Sequence, residues 1–150
     1  MNPILIEISN KGQFYQLLPN YKVLNEDIKY NDNHLEVNAE FITSLSRYKF
    51  LTNILNKLID QKILHLETKF EFDSNLNQIK FFVKPKLVDY FECSGVLYCD
   101  KDYSIFSHMI HIDYSQKFNI VKSMFDEQIK KSILSQIEND INEFKKIIKN

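Results

Sequence analysis

A chain of 150 residues with 44% hydrophobic and 26% charged residues has the size and composition of one globular domain, 1–150, able to bury roughly 70% of its unfolded surface. The formal net charge of −1 supplies no basic field for nucleic acid or an acidic membrane surface, so neither is expected as a partner. Two cysteines are too few for a disulfide framework and point to a reducing, cytoplasmic setting. No apolar run reaches the ~18 residues of a transmembrane segment, and MNPILIEISN lacks the basic start of a signal peptide.

Only Gly12 and Gly95 are glycine, so neither common Gly-rich phosphate loop can be written. Ala39 and Arg47 are the sole residues of their kinds beside abundant Asn, Ile and Lys. That is the bias of AT-rich codons, and it strips many Asn and Lys residues of functional meaning.

In chain order, the alternation at Ile4–Ile8 predicts a first strand. Gly12–Leu18 reads as a short helical turn stopped by Pro19-Asn20. Tyr21–Tyr30 and Leu35–Ile42 flank the turn cluster Asn31-Asp32-Asn33 and predict a hairpin. Setting Tyr30 against Leu35 brings Ile28 to Val37, Glu26 to Ala39 and Leu24 to Phe41 on one face. Leu51–Ile59 carries apolar residues at helical spacing. Leu64, Leu66, Phe70 and Phe72 then alternate with charges and can face Ile79, Phe81, Val83 and Pro85 in a second hairpin.

The third hairpin contains CSGVLYC. Setting Cys99 against Ser104 places Leu97 by Phe106, Gly95 by His108 and Cys93 by Ile110. From about Asn119 to Ile148 a stripe of Val121, Phe125, Ile129, Ile133, Ile137, Ile141, Phe144 and Ile148 predicts a helix roughly 45 Å long. A stripe of that length needs a sheet to cover it. One curved antiparallel sheet wrapped around the helix buries every apolar face, which makes the fold class α+β.

Three stretches carry a family resemblance: LTNILNKLIDQKILHLETKFEFD, FECSGVLYCDKDYSIFSHMIHIDY and KFNIVKSMFDEQIKKSILSQIENDINEF. Together they resemble the helix-grip fold of the START-like superfamily (the birch-pollen-allergen and polyketide cyclase-like proteins), nearest to a bacterial START-like domain family of unknown function. The likeness covers about Leu51 to Lys149, with Gly95 and Glu127 where the pattern places a glycine and an acid. Ser115–Asn119 replace the usual Gly and Pro before the last helix, and no Trp is present. The resemblance implies about seven strands around a long C-terminal helix, with a cavity between them for apolar molecules.

Within that frame the cysteines read as core. On one strand six residues span roughly 20 Å, too far for a disulfide or shared metal ligation. His108 and His111 sit at odd spacing and so face opposite ways, which argues against a metal pair; no metal or cofactor is expected. His111 belongs on the surface, whereas His108 shares an apolar row beside the gap at Gly95. Glu26 stands among apolar neighbours, where a carboxylate needs a partner or water.

The expected function is binding of an apolar or amphipathic small molecule, lipids included. The expected lining is Leu24, Glu26, Ile28, Val37, Phe70, Phe81, Gly95, Phe106, His108, Ile110, Phe125 and Ile129. An alternative is a cyclase- or hydrolase-type enzyme with Glu26 and His108 as an acid–base couple in the same cavity. A second alternative is a protein-interaction module; the sequence fixes no catalytic residue and no oligomeric state.

Overall fold

The first apolar run folds as a helix, not as the expected strand. In the computed structural model, which describes residues 3–44, 63–86 and 91–149, helix α1 spans Pro3–Lys11. Pro3 suits a first helical turn because its missing N–H has no intrahelical acceptor there. Ile4, Leu5 and Ile8 are the buried residues, a helical set, while Ile6 of the alternating set is exposed. Gly12 closes the helix in a left-handed conformation (φ 62°), its N–H donating to the Ile8 carbonyl at 2.9 Å. A 3₁₀ turn follows at Tyr15–Leu17, inside the predicted Gly12–Leu18 turn.

Six strands then form one antiparallel meander: β1 Lys22–Asn31, β2 His34–Ser44, β3 Ile63–Asp73, β4 Gln78–Pro85, β5 Phe91–Cys99 and β6 Ile105–Tyr114, in the spatial order β1-β2-β3-β4-β5-β6. The sheet therefore has six described strands, not about seven. Long helix α2, Asn119–Lys149, follows a 3₁₀ turn at Gln116–Phe118. The predicted Leu51–Ile59 helix lies outside the described residues.

The first two hairpins have the expected registers, with Tyr30 opposite Leu35, Ile28 opposite Val37 and Glu26 opposite Ala39. Phe70 meets Phe81 and Phe72 meets Ile79. Leu24 is a correction. A bulge between Val23 and Asn25 gives Phe41 to Val23 and leaves Leu24 47% exposed, because the extra residue of a bulge has no partner. The third hairpin is offset as well. A shift between Tyr98 and Cys99 sets Leu97 opposite His108, Gly95 opposite Ile110 and Cys93 opposite Ile112.

Inward-facing residues of the strands meet the buried stripe of α2, which includes Val121, Ile129, Ile133, Ile137, Ile141 and Phe144. No glycine or proline interrupts Asn119–Lys149. Each such apolar side chain contributes about 1.5–3 kcal/mol through burial. The outer face of the sheet is charged: Lys69 bridges Glu36 (3.1 Å) and Glu71 (3.3 Å), and Glu40 meets Lys86 (3.0 Å) and His65 (2.7 Å). Among the described residues no helix is long and apolar enough to cross a membrane.

Glu26 turns out to be the clamp that sets the N-terminal turn. Its carboxylate accepts the backbone N–H groups of Phe14 (3.1 Å), Tyr15 (2.7 Å) and Gln16 (3.4 Å). These donors open a 3₁₀ turn and have no partner within it, so an anionic acceptor satisfies all three. Removing it by Glu26→Ala should destabilise the fold by about 1–3 kcal/mol in urea unfolding. Asp27→Ala, one residue along and on the exposed side of the strand, should leave the midpoint unchanged.

Candidate functional site

Strand pairing arranges the inward side chains in cross-strand rows. One row runs Ile28, Val37, Phe70, Phe81, Gly95 and Ile110 across all six strands. All six were expected in the lining, and the fold brings them side by side. The adjacent row runs Glu26, Ala39, Thr68, Val83, Cys93 and Ile112. Between Glu26 and Ile112 every side chain in it is small, so this row is a line of low side-chain volume, or trough, on the inner face of the sheet.

The first row is closed by its own packing. Phe70 and Phe81 stack with centroids 6.1 Å apart. A Cβ added at Gly95 would lie 2.6 Å from the Met109 carbonyl oxygen and 2.8 Å from the Phe81 ring. The space beside Gly95 is thus occupied by Phe81, not held open for the His108 imidazole.

The trough is partly filled by the clamped turn. Tyr15 lies 4.7 Å from the Phe41 ring on one side of the trough and 5.9 Å from Phe70 on the other. It therefore straddles the Ala39–Thr68 stretch, and the small side chains there make room for it. Phe14 packs between Phe72 (6.2 Å) and Phe144 of α2 (5.1 Å). The stretch from Thr68 to Cys93 contains no aromatic side chain. The Thr68 residue is 4% exposed, and its hydroxyl has no hydrogen-bond partner. Such a group costs about 1–3 kcal/mol unless something satisfies it.

At the Cys93 end a polar cluster edges the trough. Tyr114 donates to Asp126 at 2.9 Å, and Lys130 bridges the same carboxylate at 2.8 Å. Burial works to raise the Asp126 carboxyl, but hydrogen bonds from Lys130 and Tyr114 outweigh it and hold it below its ordinary range. Burial and the hydrogen bond to Asp126 push the Tyr114 hydroxyl far up. Burial likewise drives the Cys93 thiol up to about 12, with Lys130 pulling against it and Asp126 adding to it.

A second polar group sits deeper along α2. Tyr21 donates to Asp140 at 2.6 Å, and Gln136 donates to Asp140 at 3.1 Å and to the Tyr21 oxygen at 3.3 Å. Gln136 and Asp140 are both 6% exposed. Sequence periodicity hides them, because they fall on the apolar stripe of the helix. Tyr21 also lines an open surface groove of about 420 Å³ with Asn20, Lys22, Ile42, Thr43, Ser44 and Ile63. Ser44 and Ile63 are the last residue of β2 and the first of β3, so the groove lies at that end of the two strands.

Several expected lining residues stand elsewhere. Leu24 is exposed at its bulge, Phe106 is 74% exposed, and His108 is also exposed. β6 is an edge strand whose residues Phe106 to Met109 are exposed, and its hydrogen bond to α2 is at Tyr114, at the far end. Glu26 and His108 occupy β1 and β6, the two opposite edges of the sheet. At about 4.8 Å per strand they are roughly 24 Å apart along its surface, so the geometry assembles no acid–base couple. Phe125 is half-buried, Ile129 is buried, and His111 is exposed with Asp113 at 2.8 Å.

Two measurements test this account of the interior. Gly95→Ala should destabilise the protein by about 1–3 kcal/mol, since a methyl group there meets backbone and ring, not empty space; a neutral or stabilising result would show an unfilled gap. Cys93 and Cys99 are free and buried, each thiol raised to about 12. At pH 8 only on the order of 10⁻⁴ of each would be thiolate. Ellman's reagent should therefore leave both unreacted in the folded protein and titrate both in urea.

A scan against protein-family models and a search of curated proteins both return no match to this chain. The observed topology, a short N-terminal helix, a six-stranded antiparallel meander and a long C-terminal helix packed on the sheet, is consistent with a helix-grip fold.

Proposed function

We propose that this protein is a START-like, helix-grip domain that binds an apolar or amphipathic small molecule between the concave face of its sheet and α2. The observation that carries this reading is the unpartnered, buried Thr68 hydroxyl in a trough of small side chains. A mostly apolar interior with a few placed polar groups is the usual composition of a small-molecule site. The apolar body of a ligand would lie over Val83 and Cys93, with Thr68 supplying one hydrogen bond. A polar end would reach the Tyr114–Asp126–Lys130 cluster at the rim.

A cyclase- or hydrolase-type reading on Glu26 and His108 has no comparable support, since both oxygens of Glu26 already accept backbone N–H groups. Native mass spectrometry of the purified protein should reveal an adduct that leaves on denaturation. Titration with anilinonaphthalene sulfonate, an amphipathic probe, should saturate at one site. Val83→Phe, which fills the trough, should weaken that binding about tenfold, in line with the cost of a blocked apolar site. Absence of both an adduct and saturable probe binding would overturn the reading.

A further inference from the structure

The two edges of the sheet are built differently. The β1 edge is guarded: it carries Lys22, Asp27 and Lys29, is bent by the bulge at Leu24, and holds the Tyr15–Leu17 turn through Glu26. Such devices stop a sheet from pairing edge to edge with another chain. The β6 edge shares only a bulge, at Phe106, and lacks the charged side chains. Ile105 to Ile112, IFSHMIHI, contains no Lys, Arg, Asp, Glu, Pro or Gly. Phe106 and Met109 are 74% and 67% exposed, and no described strand pairs with the free side of β6. Later in the chain, Ile120 and Met124 of α2 are exposed at 74% and 61%.

We infer that β6 pairs antiparallel with β6 of a second copy, joining the two sheets in a homodimer. Three features select a second copy over a foreign strand. The exposed apolar groups of β6, Phe106 and Met109, lie on the strand itself, within reach of an identical strand paired to it. A twofold axis near Ile110 brings the start of β6 in each copy to the end of β6 in the other, setting Phe106 opposite the partner copy's Tyr114. The pairing is also free of conflict: about that axis His108 meets Ile112, Met109 meets His111 and Ser107 meets Asp113, so no like charges oppose. Finally, a net charge of −1 offers little repulsion between copies. Nine paired residues with these side chains would bury on the order of 1,000 Å², enough for a specific interface.

Sedimentation equilibrium at ~100 µM, a concentration at which an interface of this size is occupied, tests the pairing. The wild-type protein should weigh twice its 17.9 kDa. The Phe106→Lys, Met109→Lys double variant changes only exposed side chains, so it should keep its far-UV circular dichroism while its dimer dissociation constant rises about a hundredfold. Amide exchange across β6 should slow with concentration in the wild type and not in the variant. A wild-type monomer at that concentration overturns the proposal, and so does a dimer that the double variant leaves intact.

Discussion

The carboxylate of Glu26 holds together the parts of this molecule that sequence alone leaves unrelated. By accepting three N–H groups from Phe14–Gln16, it draws a turn from the N-terminal segment onto the first strand. Phe14 and Tyr15 are then carried over the concave face, where Tyr15 rests on Phe41 and Phe70, and Phe14 touches Phe144 of α2. One charge-assisted contact thereby connects helix α1, the sheet and the long helix. Because the donors belong to backbone, no neutral apolar side chain could do the same.

That clamp also divides the interior. Over β2 and β3 the small residues Ala39 and Thr68 receive the protein's own Tyr15. Toward β4 and β5 the trough continues past Val83 and Cys93 without an aromatic side chain, and ends at the Tyr114–Asp126–Lys130 cluster. Ring packing in the neighbouring row, with Phe81 pressed against Gly95, fills the space beside it. The balance between packing and accommodation is set row by row, by side-chain volume.

The edges show the same economy of means. Three charged residues make β1 a poor template for a further strand, whereas β6, bulged as well, carries no Lys, Arg, Asp or Glu from Ile105 to Ile112. With the chain's first apolar run coiled into α1, no described strand from it covers β6.

The alternation of apolar and charged residues determined by itself the two early hairpins, the extent of the long C-terminal helix and the α+β class, since each rests on local periodicity that one face of water and one of core enforce. It also brought Ile28, Val37, Phe70, Phe81, Gly95 and Ile110 onto one face. Tertiary structure decided what periodicity cannot encode. Ile4–Ile8 satisfies a strand pattern and a helix pattern alike, and burial of Leu5 chose the helix. The bulges at Leu24 and at Tyr98/Cys99 shifted partners by one or two residues, which is how Leu24 and Phe106 came to face water, while His108 kept its face but sits on the exposed half of an edge strand. Glu26 seemed an anomaly among apolar neighbours because its partners are backbone N–H groups ten to twelve residues away, and every residue type presents the same N–H. Only a folded chain reveals which of them a carboxylate will meet.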